Sequence, residues 1–140
     1  MNSRENLKKT LNHQQPEHLV LDFGGTGVTG IHCLAVKNLR AYYGLEDRPV
    51  KVVEPFQMLG EVDAELREAM GIDVVGAYGK GNLLGFDNFE CEWKPFNANW
   101  GQELLVPVDF NYTEAADGSL LIYPGGDRTI GPSARMPKTG

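Results

Sequence analysis

Short apolar runs alternate with helical patterns along the first half of the chain. Residues 18–23 (HLVLDF), 50–53 (VKVV) and 72–78 (IDVVGAY) are too short and too apolar for amphipathic helices, so each predicts a buried strand. Between them, apolar residues recur every three or four positions, which predicts two helices that end at Gly44 and Gly71. Strands that alternate with helices favour a parallel sheet joined by right-handed crossovers.

The second half of the chain has a different pattern. Beyond the third predicted strand, aromatic and polar residues alternate and turn signals are frequent. Asp117 and Gly118 separate two apolar runs and predict a β-hairpin. The last stretch, residues 128–140 (RTIGPSARMPKTG), shows no period, and residues 124–137 (PGGDRTIGPSARMP) predict a Gly/Pro-rich loop. We therefore expect residues 1–79 to form the first β/α units of the fold, and residues 80–140 to form a hairpin-rich segment and a loop.

Composition narrows the class of protein. The chain has 140 residues, 41% of them hydrophobic and 23% charged, with a net charge of -6, which suits one globular domain. Neither half is basic, so we expect no nucleic-acid partner. No apolar run approaches the ~20 residues of a membrane helix. The polar N-terminal stretch and the widely separated Cys33 and Cys91 favour a cytoplasmic protein with reduced thiols.

One glycine-rich stretch resembles a dinucleotide-binding loop. Gly25, Gly27 and Gly30 have the spacing G-x-G-x-x-G, and Glu54 closes the next apolar run. In such loops the glycines admit a pyrophosphate and the acidic residue binds a ribose hydroxyl. Asp22, however, stands just before the glycines, where its charge would repel a diphosphate. A plain connection between strand and helix is therefore the main interpretation, and a nucleotide-binding module stays an alternative.

Several separated stretches carry a family resemblance. SRENLKKTLNHQQPEHLVLDFGGT, VKVVEPFQMLGEVDAELREAMGIDVV, and WGQELLVPVDF with DGSLLIYPGGD and PSARMP occur in this order and span nearly the whole chain. Together they resemble the N-terminal part of the uroporphyrinogen decarboxylase superfamily, and most closely its corrinoid-dependent methyltransferases. The resemblance implies an α/β fold, the N-terminal portion of a (β/α)8 TIM-type barrel, with three parallel strands and crossover helices followed by a β-hairpin-rich segment. In such barrels the pocket lies at the C-terminal ends of the strands.

The length of the chain limits what such a segment does. A (β/α)8 barrel takes at least about 200 residues, so three strands cannot close it. We therefore expect the N-terminal segment of a larger enzyme, inactive alone. The alternative is a non-catalytic subunit that a second copy or a partner chain completes, because an open parallel sheet exposes its faces and edge.

The methyltransferase resemblance also implies cofactors. In that branch zinc activates a thiol for attack on a methyl group carried by a corrinoid. The zinc ligands, a His-x-Cys pair and a distant Cys, lie in a later part of the barrel. We therefore expect this segment to bind no metal itself, zinc and a corrinoid to belong to the full-length enzyme, and the substrate to be a small molecule or a corrinoid protein. His32 and Cys33 are adjacent and would diverge by ~100° on a helix, which does not favour a metal pair.

Porphyrinogen decarboxylation, in heme biosynthesis, is the alternative reaction. The decarboxylases carry an Arg-Gln pair after the first strand, since guanidinium groups bind the carboxylates of the tetrapyrrole. This chain has LDFGGTGV at that place and no arginine between Glu17 and Arg40. It also lacks the carboxylate that those enzymes place after the third strand. Both departures favour the methyltransferase branch.

The resemblance predicts which residues meet at the mouth of the barrel. Asp22 is the candidate catalytic residue, because a carboxylate in an apolar strand is costly unless it is paired or used. Its alternative role is to accept N–H bonds from its own loop. The ends of the three strands and the later loop supply the candidate substrate-binding residues, which are Gly24, Gly25, Thr26, Glu54, Phe56, Gln57, Tyr78, Asp127 and Arg128. A surface ion pair within a turn is the alternative for the last two.

Overall fold

Three α-helices and seven β-strands form within residues 2–77, 79–87 and 91–138, the part of the chain that the computed structural model describes. The helices are α1 (Ser3–Leu11), α2 (Cys33–Tyr42) and α3 (Ala64–Met70). The strands are β1 (Val50–Glu54), β2 (Leu59–Gly60), β3 (Trp93–Asn97), β4 (Glu103–Pro107), β5 (Tyr112–Glu114), β6 (Leu120–Ile122) and β7 (Ala134–Met136). No helix among the described residues is long and apolar enough to cross a membrane.

The helices begin and end where local side chains satisfy the backbone. At the start of α1, Asn2 accepts a hydrogen bond from Glu5 N–H at 2.9 Å and Glu5 reaches back to Asn2 N–H, which forms a capping box. Asp63 caps α3 by accepting from Leu66 N–H at 3.0 Å. Gly71 ends that helix in the left-handed region, with φ of 68°. The two helices predicted after the first and second apolar runs are therefore confirmed.

The strands form two separate sheets. In the first, the order is β2-β1-β4-β3, and among the described strands β1 with β4 is the single parallel pair. The second sheet has the antiparallel order β5-β6-β7. Gly118, with φ of 77°, lies in the turn between β5 and β6, so the predicted hairpin is confirmed.

The predicted barrel portion is wrong. The structure is a small mixed α/β domain whose strands are mostly antiparallel, not the start of a parallel (β/α)8 barrel. Only the second predicted strand forms, as β1; residues 18–23 and the described residues 72–77 contain no strand. β1 also pairs with β2 and with β4, not with the segments on which the prediction depended.

A single side chain gives the physical reason for the missing strands. Asp73 N–H donates to the Leu21 carbonyl at 3.0 Å, so the two extended segments do meet. Leu21 N–H, however, donates to the Asp73 carboxylate at 3.1 Å instead of to a backbone carbonyl. The carboxylate thus takes the place of the next bond of a ladder. The apolar runs indicated extended backbone but did not determine which strand pairs with which.

The loop predicted for residues 124–137 is wrong in part. Pro124–Gly126 forms a short 3-10 turn and β7 adds a third strand to the second sheet, with Leu120 opposite Met136. A strand of three residues is too short to show a period in the sequence. Its position depends on β6 offering an edge, which only the tertiary structure decides.

An aromatic cluster forms the core between the second half's strands. It consists of Phe86, Phe96, Phe110 and Tyr112, whose neighbouring ring centroids lie 5.4 to 6.0 Å apart. Phe110 is fully buried. Such tilted and edge-to-face pairs add to the free energy gained from burial alone. The aromatic cluster belongs to the same hydrophobic core as Val50 and Val52 of β1, and the end of β1 borders the candidate site.

A glycine-lined cleft as candidate functional site

A cleft of about 330 Å³ lies beside β1 and β2, a size in the range of small-molecule sites. Three stretches of the chain form its walls: the loop before α2, the turn between β1 and β2, and residues 79–83. We call it the glycine cleft, since six of its lining residues are glycine. The lining residues are Gly24, Thr26, Gly27, Gly30, Val53, Glu54, Gln57, Leu59, Gly60, Gly79, Gly81, Asn82 and Leu83.

The loop before α2 is built around Asp22. Its Oδ1 accepts hydrogen bonds from Gly25 N–H at 2.9 Å and from the Thr29 hydroxyl at 3.1 Å. Gly24 N–H donates to the Thr29 carbonyl at 2.8 Å and closes the loop. Asp22 is therefore engaged in holding its own loop, which is the alternative role that the sequence left open for it.

The amides of this loop are also used internally. Thr26 N–H donates to the Thr29 hydroxyl at 3.0 Å, and Val28 N–H and Thr29 N–H donate to the Thr26 hydroxyl at 3.2 and 3.3 Å. The first turn of α2 is closed in the same way, because His32 Nδ1 accepts from Leu34 N–H at 3.2 Å. A pyrophosphate-binding loop offers its N–H groups to the ligand. The geometry therefore does not favour the nucleotide-binding interpretation.

The turn between β1 and β2 is held by Glu54. Its Oε1 accepts from Phe56 N–H at 2.9 Å and its Oε2 accepts from Gln57 N–H at 2.8 Å. The next residue, Met58, is buried and has φ of 55°, a conformation that non-glycine residues adopt rarely. This tight turn puts Glu54 and Gln57 on the glycine cleft, whereas Phe56 lines a separate groove beside Trp100.

The two candidates from the later loop lie elsewhere. Asp127 accepts from the Thr129 hydroxyl at 2.6 Å and from Thr129 N–H at 2.8 Å, and these two bonds lower the pKa of the Asp127 carboxyl. Arg128 donates to the Tyr112 carbonyl. Neither residue lines the glycine cleft. Tyr78, the candidate at the end of the third predicted strand, lies outside the described residues.

The structure thus brings four of the predicted site residues together, and it adds lining residues that were not predicted. Gly24, Thr26, Glu54 and Gln57 share the glycine cleft. The missed lining residues include the other glycines, Asn82 and Leu83. For Gly27 and Gly30 the signal was their spacing, which pointed to a different ligand.

Gly27 differs from its neighbours in having no structural reason to be glycine. A Cβ on Gly60 would lie 2.7 Å from Val50 Cγ1 and 3.2 Å from the Cys33 backbone, so packing requires glycine there, and one on Gly30 would lie 2.5 Å from Leu59 Cδ1, so that side chain would have to move. A Cβ on Gly27 would meet no atom within 4 Å, and its φ is not positive. The fold tolerates a side chain at Gly27, so the bare backbone there is available to a ligand.

The metal chemistry that the resemblance implies finds no donor set here. Among the described residues, no group of three or more His, Cys, Asp or Glu side chains could hold a metal ion. Cys33 is fully buried, and burial raises its pKa to about 12, which disfavours the thiolate that zinc binds. The ring of His32 caps α2 and lies 4.8 Å from the ring of Trp100. Cys33 and His32 therefore do not fit as ligands of the zinc that the methyltransferases use.

None of the protein-family models, curated proteins or solved structures compared with this chain matches it. The fold gives no functional class by itself, because one fold supports many activities. The glycine cleft, with its fixed carboxylate and open backbone, is therefore the feature on which a functional proposal depends.

Proposed function

We propose that this chain forms the substrate-binding wall of a uroporphyrinogen-decarboxylase-like enzyme of the corrinoid-dependent methyltransferase type, and that it catalyses no methyl transfer alone. The supporting observation is that the stretches following the three apolar runs line a single cleft. In the resembling enzymes the same stretches surround the substrate. We propose no barrel for this chain. The proposed function depends only on the convergence of the three stretches on one cleft.

The chain's own residues would bind and orient the ligand. Gly27 leaves the backbone open, so a ligand approaches the peptide without meeting a side chain. Gln57 lines the cleft beside the carboxylate of Glu54, which is held in place by accepting the Gln57 N–H. A few polar groups in a concave wall are sufficient to orient a small molecule. In the family, the metal supplies thiol activation, and we assign that chemistry to residues outside this chain. A cytoplasmic location belongs to the proposal, supported by the free thiols Cys33 and Cys91.

The first test concerns turnover. The chain is incubated with methylcobalamin, 2-mercaptoethanol and zinc, and the methylated thiol is measured by mass spectrometry. We expect no product above the level of the same mixture without protein. Sustained formation of methylated thiol would contradict the proposed inactivity of the chain alone.

The second test concerns binding. In a titration with 2-mercaptoethanol followed by 15N–1H NMR, we expect saturable shifts of the amide signals of Gly24, Gly27 and Gly60. Gly27→Ala should remove this binding, because its methyl group fills space beside the open backbone. Gly131→Ala is the matched control: Gly131 also has no atom near a built Cβ and lacks a positive φ, but it lies outside the glycine cleft. Equal binding by both variants, or no shifts of the unmodified chain with any small thiol, would end the proposal.

A second candidate function has an observation of its own. Leu19 is 77% exposed and Val75 is 65% exposed, and both lie on extended segments that form no strand among the described residues. Apolar side chains beside unpaired extended backbone are typical of a surface that another chain covers. A non-catalytic subunit completed by a second copy or a partner is therefore the alternative. Light scattering after size-exclusion chromatography tests the second-copy form, since a strict monomer would exclude it.

A further inference from the structure

We propose that the glycine cleft selects a ligand carrying a positively charged ammonium group, held by the carboxylate of Glu54. This inference rests on the proposed function and narrows its substrate class: the acceptor thiol would be cationic, not neutral or anionic.

The carboxylate of Glu54 is a fixed charge on the wall of the cleft. Each of its oxygens accepts one backbone hydrogen bond, from Phe56 at 2.9 Å and from Gln57 at 2.8 Å. A carboxylate accepts about four hydrogen bonds, so roughly half of its capacity is left for a ligand. A charge that is held in place needs no reorganisation when a ligand binds, and this favours a partner of opposite charge.

The surroundings of the cleft reinforce its negative charge. Glu54 is the only ionisable side chain among the described residues that line it. Asp22 adds a second carboxylate through its bonds with the loop residues Gly25 and Thr29. Among the described residues, no Lys or Arg side chain lines the cleft: Lys80 is exposed between two lining glycines, and Arg67 donates to the Val62 carbonyl at 2.7 Å. An anionic ligand would therefore find no cationic side chain among the described lining residues with which to pair.

The same charges exclude other ligands that the sequence left open. A porphyrinogen bears eight carboxylates and requires guanidinium or ammonium groups, which the described lining does not contain. A diphosphate would meet the two carboxylates and a loop whose amides are largely engaged. An ammonium group, by contrast, donates to the remaining acceptor positions on the carboxylate of Glu54.

Three thiols of similar size test the charge selection. Cysteamine carries an ammonium group, 2-mercaptoethanol a hydroxyl group and mercaptoacetate a carboxylate. The full chain is titrated with each, with a phosphine reductant present, and the glycine amide signals of the cleft are followed by NMR. We expect cysteamine to bind up to about fivefold more tightly than 2-mercaptoethanol, since one ion pair near a surface contributes at most about that factor. Mercaptoacetate should bind most weakly, and added salt should weaken cysteamine alone.

The matched variants are Glu54→Gln and Glu114→Gln, the latter an exposed glutamate on β5. We expect Glu54→Gln to remove the advantage of cysteamine over 2-mercaptoethanol, and Glu114→Gln to keep it. Equal binding of the three thiols to the unmodified chain, or an advantage of cysteamine that survives Glu54→Gln, would overturn charge selection and leave the proposed wall intact. Shifts with none of the thiols would overturn both proposals.

Discussion

The glycine cleft and the aromatic cluster are stabilised by different interactions. In the aromatic cluster, Phe96, Phe110 and Tyr112 pack against one another with little need of hydrogen bonds. At the glycine cleft, by contrast, side-chain oxygens of Asp22 and Glu54 hold the backbone, and large side chains are few. Packing gives rigidity at the cost of open space, whereas polar bonds to the backbone define a surface and leave room beside it.

This difference separates the parts of the chain that provide stability from those available for binding. Apolar burial contributes in proportion to area, so substitutions in the aromatic cluster should change the free energy of unfolding most. Substitutions at the cleft should change binding with small effects on unfolding, except at Gly60, where a side chain would meet the core residues Val50 and Val36. The following predictions test that division, from the largest expected effect to the smallest.

Truncation of the aromatic cluster should have the largest effect. We expect Phe110→Ala to lower the free energy of unfolding by about 3–5 kcal/mol, because it removes a fully buried ring and leaves a cavity. Urea denaturation followed by circular dichroism measures the change. Val108→Ala, at a side chain 41% exposed on the same stretch, is the control and should stay within about 0.5 kcal/mol. Equal losses in the two variants would contradict the assignment of the core.

Loss of the hydrogen bond between Leu21 N–H and the Asp73 carboxylate should have the second-largest effect on the free energy of unfolding. Asp73→Ala leaves Leu21 N–H without its acceptor and removes the contact with His18 Nε2 at 3.1 Å. Hydrogen bonds to charged groups are worth about 1.5–3 kcal/mol, and we expect a loss of that size in urea denaturation. Asp73→Asn keeps an acceptor oxygen and should lose less. If both variants match the unmodified chain, the two segments are held together by other interactions.

The cleft glycines should respond in opposite directions. Gly60→Ala places a methyl group within 3 Å of Val50 and Val36, so we expect it to destabilise the fold by about 1–3 kcal/mol. Gly27→Ala meets no atom and should stabilise the fold by about 0.4–1 kcal/mol, since alanine restricts the unfolded chain. Thermal unfolding of the two variants compares them directly. A destabilised Gly27→Ala would indicate a structural requirement for glycine there.

The smallest expected effect is the loss of the stabilising contribution of Asp117 at low pH. Bonds from the hydroxyl and N–H of Ser119, together with the Arg135 guanidinium, hold the pKa of Asp117 at about 2, below its ordinary 3.8. Since the folded value is the lower one, its stabilising contribution is present above pH 3.8 and is lost as the pH falls through about 2. An NMR titration of the Ser119 amide should show this midpoint. Arg135→Gln should move it upward, and an unchanged midpoint would exclude a role for the guanidinium.

Part of the fold followed from local sequence. The helices ended by Gly44 and Gly71 and the hairpin at Asp117 and Gly118 were predicted correctly, because caps and turns depend on residues close in the chain. The pairing of strands was not. Residues 18–23 are as apolar as a strand requires, yet Leu21 N–H donates to the carboxylate of Asp73 and not to a backbone carbonyl.

The candidate site was also predictable in part. Gly24, Thr26, Glu54 and Gln57 were expected to converge and do line one cleft. Asp127 and Arg128 were expected beside them and instead bond within their own turn and to Tyr112. The difference is one of distance along the chain: the first four follow apolar runs whose ends the fold keeps close, whereas the last two depend on where the second sheet lies.

The sequence by itself determined which segments are helical, where the chain turns and which stretches are extended, because these depend on contacts within a few residues. Only the tertiary structure decided that β1 pairs with β4, that β7 extends the second sheet, and that Gly27 faces open space. Each of these depends on which distant edge or side chain is within reach of a backbone N–H or a Cβ. The pattern of apolar and polar residues along the chain does not specify which distant groups come close together in the fold.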